Sequence, residues 1–143
     1  MPMIKVLLVD DERAFVETMV KRLRKRGLEL HTAFGGREAL ALLDADDTIE
    51  VVILDIRMPG MDGIETLKEI KGRHPLVEVI MLTAHGTVES GIEGMRKGAF
   101  DYLLKPCDIG QLLDKVNEAA DHRRLHQEKI FKARIQTITL RQP

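Results

Sequence analysis

Ile4-Lys5-Val6-Leu7-Leu8-Val9 stops abruptly at Asp10-Asp11-Glu12. A compact run of aliphatic and β-branched residues bounded by charge reads as a strand buried on both faces, the kind found in parallel sheets. Val51-Val52-Ile53-Leu54 repeats the pattern and stops at Asp55, and the run from Val77 to Leu82 stops at Thr83-Ala84. Two strand segments of less regular pattern cover residues 28–34 and Tyr102-Leu103-Leu104, the latter ending at Lys105-Pro106.

Between these runs the apolar spacing turns helical: Val16, Met19, Val20 and Leu23; Ile64, Leu67 and Ile70; Val88, Ile92 and Met95; Leu112, Leu113 and Val116. Residues 38–43 form a shorter apolar-rich helix. Asp62 with Glu65 and Asp108 with Gln111 have capping-box spacing, and Thr87 is placed to cap the helix that begins at Val88. Gly27 and Gly98 stand where helices should stop. The strand–helix unit recurs five times, which predicts an α/β fold: a doubly wound, five-stranded parallel sheet with helices on both faces and right-handed crossovers.

Composition bounds the function. The 143 residues suit one domain with a self-sufficient core, and 44% apolar with 31% charged residues is an ordinary globular balance. A single cysteine excludes an internal disulfide framework and a multi-cysteine metal site. Aromatics are 3%, with no Trp and one Tyr, which argues against base-stacking platforms. A net charge of −1 gives no global footprint for nucleic acid. The first apolar run is too short for a secretory signal, and no stretch approaches a membrane span, so a cytoplasmic location is expected.

Charge is uneven along the chain. Residues 121–143 carry six Lys or Arg against two Asp or Glu, a local charge of +4, leaving −5 on residues 1–120. The expected division is a domain over 1–120 and a basic helical extension or linker over 121–143. The last helix is predicted to run to about Ala133, with no clear pattern over residues 135–143. Val116, Ala120, Leu125, Ile130 and Ile135 form an irregular seam through which a homodimer is one expectation.

Ligands of open parallel sheets bind beyond the carboxyl ends of the strands. There the pattern gathers Asp10, Asp11, Glu12, Asp55, Thr83 and Lys105. Clustered carboxylates repel, and a divalent cation relieves that repulsion. Magnesium prefers hard oxygen ligands and suits one or two carboxylates plus a phosphate oxygen. A lone acid pair could simply cap a helix near its dipole. A third acid at another strand end is harder to explain that way. Lys105, as a compact point charge, can hold a phosphate oxygen or pair with Asp55 in its absence. Cys107 reads as a small space-filler; His31, His74, His122 and His126 lack ligand partners at useful spacing, and His122 and His126, four apart on a helix, read as solvated.

Four segments carry a family resemblance: LLVDDE (7–12), ILDIRMPGMDG (53–63), MLTAHG (81–86) and GAFDYLLKP (98–106). Over residues 4–120 the chain resembles the receiver domains of bacterial two-component response regulators, and in wording those of NtrC-type activators. The resemblance implies the CheY-like, flavodoxin-like arrangement. It implies a phosphorylation-activated switch that catalyses only its own phosphorylation and dephosphorylation. Asp55 would accept the phosphoryl group from a sensor histidine kinase. Asp10, Asp11, Asp55 and the backbone carbonyl of Arg57 would hold Mg2+, with Asp11 the usual direct ligand. Thr83 would bond the phosphoryl group and Lys105 would pair with it. Tyr102 would turn inward as Thr83 moves, changing the surface of the fourth helix, fifth strand and fifth helix. Arg57 and His85 flank the pocket and are expected to tune phosphoryl lifetime. Partners would be the kinase and an output domain or protein, with no direct nucleic acid contact by this segment and no membrane.

Two other classes share features of the pattern. A flavodoxin-like cofactor binder should present a Gly, Ser or Thr-rich phosphate cradle after the first strand, where Asp10-Asp11-Glu12 stands instead. Aspartyl phosphohydrolases commonly space two acids by one residue there, whereas these are adjacent. A receiver that ignores phosphate is disfavoured by the complete acid, hydroxyl and ammonium set.

Overall fold

A computed structural model describes residues 3–56, 62–84 and 86–141. Five strands alternate with five helices: β1 (Lys5–Val9), α1 (Arg13–Lys25), β2 (Glu29–Ala33), α2 (Gly36–Ala45), β3 (Val51–Leu54), α3 (Gly63–Arg73), β4 (Glu78–Thr83), α4 (Val88–Arg96), β5 (Asp101–Leu104) and α5 (Ile109–Arg141). The strands form one sheet in the order β2-β1-β3-β4-β5, with every pairing parallel. This is the doubly wound architecture expected from the sequence, with strand boundaries displaced by at most a residue.

Strand alternation divides the core in two. Leu7, Val9, Val52, Leu54, Val79 and Met81 face Ala39, Leu40 and Leu43 of α2 and Leu67 and Ile70 of α3. Val6, Leu8, Val51, Ile53, Ile80 and Leu82 face Val16 and Leu23 of α1 and Leu112, Val116 and Ala119 of α5. Both faces of the central strands are therefore covered, which is why they read as unbroken apolar runs.

The helix ends follow local chemistry. Asp62 Oδ1 accepts from Glu65 N at 2.8 Å, and Asp108 Oδ2 accepts from Gln111 N at 3.2 Å. Gly27 at φ 86° and Gly98 at φ 103° adopt the left-handed backbone that ends α1 and α4.

One expectation is overturned. The last helix does not fade near Ala133 but continues to Arg141. No Gly or Pro interrupts residues 111–142, so nothing local ends the helix even where the apolar pattern lapses. The apolar residues of α4 recur at helical spacing as expected, but they do not face the core. Val88, Ile92 and Met95 are exposed, and Gly94 is the described residue of that helix that is buried, lying against Met81 Sδ.

The amino-terminal edge of the sheet anchors α5. Arg124 forks onto Glu50, with Nε and Nη2 donating to its two carboxylate oxygens at 2.9 and 3.0 Å. His122 Nδ1 lies 2.9 Å from Glu78 Oε2, and its ring packs between Phe100 and His126. His74 Nε2 lies 2.8 Å from Asp44 Oδ1 and His31 Nε2 lies 2.9 Å from Glu29 Oε2, so each of these three histidines meets a carboxylate while His122 stays exposed. Beyond this anchor Phe131, Ile135, Ile138 and Leu140 are exposed. No described helix is long and apolar enough to cross a membrane.

Candidate functional site

The sheet order reverses between β1 and β3, and a crevice opens at their carboxyl ends. Register determines what meets there. Val9 pairs with Leu54, and Asp55 N donates to Val9 O at 3.0 Å, so Asp10 and Asp55 emerge side by side. Thr83 ends β4 opposite Leu104, and Lys105 N donates to Thr83 O at 2.9 Å. The Lys105–Pro106 peptide is cis. Four strand ends thus bring one acid pair, one acid, one hydroxyl and one ammonium to a single rim.

Asp10, Asp55 and Thr83 are buried, whereas Asp11 is exposed. One carboxylate oxygen from each of Asp10, Asp11 and Asp55 lies within 4.8 Å of the others, a group able to share a metal ion among the described residues. Asp10 is held at both oxygens: Oδ1 accepts from Glu12 N at 2.9 Å, and Oδ2 accepts from Lys105 Nζ at 2.6 Å. Lys105 Nζ lies 3.9 Å from Asp55 Oδ2, so its nearer partner is Asp10. The donor set is all carboxylate oxygen, hard and anionic, and fits magnesium better than a softer metal.

The sequence reading missed two residues near this rim. Phe15 places its ring 3.9 Å beneath Lys105 Nζ, so the ammonium sits between acids and an aromatic face. The rarity of aromatics in this chain, with Phe15 one helical turn past Asp11, was the available signal. Ser90 hydrogen-bonds to Tyr102 Oη at 3.1 Å and completes a reciprocal cap with Thr87. Its signal was the three-residue offset from Thr87.

Tyr102 lies on β5 opposite Met81, on the sheet face that also carries Thr83. It is half-buried beside an apolar groove of about 780 Å³ whose lining includes Val88, Ile92, Met95 and Leu104. Arg57 and His85 lie outside the described residues. Cys107 is half-buried beside α5, and burial pushes its thiol pKa up.

The chain belongs to the response regulator receiver domain family, which residues 6–117 match. Such receivers are phosphoacceptor switches, and the family binds magnesium at an acidic cluster of the kind formed by Asp10, Asp11 and Asp55. The receiver is of the NtrC type. It is 42% identical over 123 residues to the DNA-binding transcriptional regulator NtrC of Salmonella typhimurium, covering 86% of this chain and 26% of that protein. It is 40% identical over 124 residues to the regulatory protein AtoC of Escherichia coli, covering 87% and 27%. The chain therefore spans about a quarter of the length of these curated relatives. Among solved structures, a response regulator receiver domain protein from Clostridium thermocellum aligns with TM-score 0.82 at 35% identity, covering 86% of this chain and 98% of that one. NtrX from Brucella abortus aligns with TM-score 0.81 at 32% identity, covering 89% and 29%.

Proposed function

We infer that Asp55 is the phosphoacceptor of a two-component system and that Asp10, Asp11, Thr83 and Lys105 serve the transfer. The observation that carries this reading is the convergence of three carboxylates and the Lys105 ammonium at the sheet's reversal point. A carboxylate oxygen of Asp55 attacks phosphorus of a phosphohistidine on a sensor kinase. The phosphorus–nitrogen bond breaks, and its electron pair stays on the imidazole. The nucleophile is already ionised, so no general base is required. Such transfer asks mainly for positioning and charge stabilisation.

Asp11 and Asp55 would hold Mg2+ through their carboxylates, with the Arg57 carbonyl as a further oxygen donor. Asp10, engaged at both oxygens, acts one layer back. Bound magnesium would neutralise charge on the phosphoryl oxygens. Lys105 pairs with the phosphoryl group by swinging from Asp10 toward Asp55, and Thr83 donates its hydroxyl. Movement of Thr83 makes room for Tyr102, which shares its sheet face, and the α4–β5–α5 surface changes. Arg57 and His85 set the lifetime of the acyl phosphate, which the domain itself hydrolyses.

Residues 1–120 are the receiver and 121–143 a basic helical linker. The linker transmits the change to an output domain or partner in the cytoplasm, with its exposed apolar side chains pairing in a homodimer. The segment itself contacts neither nucleic acid nor membrane. The test is intact mass after incubation with magnesium and a small acyl-phosphate donor. One added phosphoryl group is expected, absent without magnesium and absent in Asp55→Asn. An unchanged mass, with no binding of beryllofluoride, overturns the reading.

A further inference from the structure

The amino end of α4 is held by a hydroxyl cluster that reaches across to β5. Ser90 Oγ accepts from Thr87 N at 2.9 Å and lies 3.0 Å from Thr87 O, to which it donates. Tyr102 Oη lies 3.1 Å away and is also 3.5 Å from Thr87 O, a longer contact. A serine hydroxyl offers one proton and two lone pairs. With its proton on Thr87 O and one lone pair taken by Thr87 N, the remaining lone pair faces two hydroxyls at 3.1 Å, those of Tyr102 and Thr87, and accepts from Tyr102 while Thr87 Oγ1 accepts from Ser90 N. Ser90 N in turn donates to Thr87 Oγ1 at 3.0 Å. The same serine therefore closes the helix cap and holds the tyrosine.

The backbone beside the ring is bare. A Cβ at Gly86 would overlap the Tyr102 hydroxyl and Leu104, and one at Gly91 would touch the ring at 3.6 Å. Two glycines thus form a slot in which the ring lies against α4, with Ser90 at its end. Register puts Tyr102 diagonal to Thr83, because Met81 pairs with Tyr102 and Thr83 with Leu104.

We propose that Ser90 is a latch that holds the Tyr102 ring against α4 and so sets how readily the receiver enters its phosphorylated conformation. This rests on the reading of Tyr102 as the residue that moves when Thr83 engages the phosphoryl group. Inward rotation gives up the Ser90 hydrogen bond and leaves the Thr87–Ser90 cap, so the latch opposes the active state without preventing it. Ser90 is a positioning residue, since it touches neither phosphoryl group nor metal. Loss of one neutral hydrogen bond should move a two-state equilibrium about fivefold toward the inward state.

The chain has one tyrosine, so 3-fluorotyrosine labelling gives a single 19F resonance that reports on Tyr102 alone. In wild type, beryllofluoride with magnesium should move that resonance from a resting to an active position. Ser90→Ala should shift the resting resonance toward the active position and speed labelling by a small acyl-phosphate donor about fivefold. Thr87→Val breaks the side-chain cap but keeps the Ser90–Tyr102 hydrogen bond, and should lower stability with the resonance in place. Tyr102→Phe should speed labelling as Ser90→Ala does, and the double variant should add nothing further. A Ser90→Ala resonance at the wild-type resting position, with a normal beryllofluoride response, overturns the latch and leaves the switch standing. A wild-type resonance that ignores beryllofluoride, while Asp55 still takes up a phosphoryl group, overturns the tyrosine switch and the latch together.

Discussion

Lys105 Nζ donates to Asp10 Oδ2 at 2.6 Å, a part-buried ion pair that joins residues 95 positions apart. The lysine stands 3.9 Å from Asp55, so one cation balances two buried acids at the site's centre. Removing one partner of a buried pair is costly because the other is left uncompensated.

Lys105→Met should therefore lower stability by about 3 kcal/mol in metal-free buffer. Millimolar magnesium should restore much of the loss, because a dication replaces the missing charge. Urea unfolding with and without magnesium checks both. Equal losses in the two buffers would mean that the acids do not share a cation.

Asp55→Asn removes one of three crowded carboxylates. It should stabilise the metal-free protein by about 1 kcal/mol while abolishing the stabilisation that magnesium gives wild type. Thermal unfolding across a magnesium titration reads both effects. The sign in metal-free buffer is the informative part, since a merely structural Asp55 would be destabilised by the change.

Phe15 contributes through its ring face. Phe15→Leu keeps an apolar side chain in place but removes the cation–π contact, and should cost about 1 kcal/mol. Phe15→Trp should retain the contact. Combining Phe15→Leu with Lys105→Met should show a coupling of about that size, measured as a double-mutant cycle in urea.

Away from the site, hydrogen bonds from Lys5 and Thr48 hold the Asp46 carboxyl far below the usual carboxylate range. A depressed folded-state pKa gives stability that is full above the unfolded value, about 3.9, and is lost as pH falls through the folded value. Asp46→Asn should thus be less stable than wild type at pH 7. The gap should begin to close as pH drops below about 4. A gap that stays constant to pH 2.5 would contradict the assignment to ionised Asp46, as measured by urea midpoints at each pH.

The sheet and its rim were readable because both depend on short stretches. Val6 to Val9 and Val51 to Leu54 are apolar throughout because helices cover both their faces, and the residue after each run necessarily emerges at the rim. What the sequence concealed depends on distant pairs. Glu50 and Glu78 are buried at the opposite edge, where Arg124 and His122 reach them from 74 and 44 residues away. Nothing near Glu50 announces that partner. The exposure of the α4 stripe was hidden for another reason. Helical spacing shows that residues share a face, but Gly94 brings that helix against Met81, while Val88, Ile92 and Met95 line an open groove. Lys105 shows both sides of the problem. Its place near the acids was foreseeable from the strand end, yet its choice of Asp10 over Asp55 reflects side-chain geometry that no spacing encodes.

The central claim is that Asp55, among three neighbouring aspartates, carries the phosphoryl group. Borohydride converts an aspartyl phosphate to homoserine, so reduction after acyl-phosphate and magnesium treatment marks the acceptor in the chain itself. Peptide mass mapping is predicted to find homoserine at position 55 and aspartate at positions 10 and 11. Homoserine at position 10 or 11, or position 55 left as aspartate in protein whose intact mass shows an added phosphoryl group, would contradict the account.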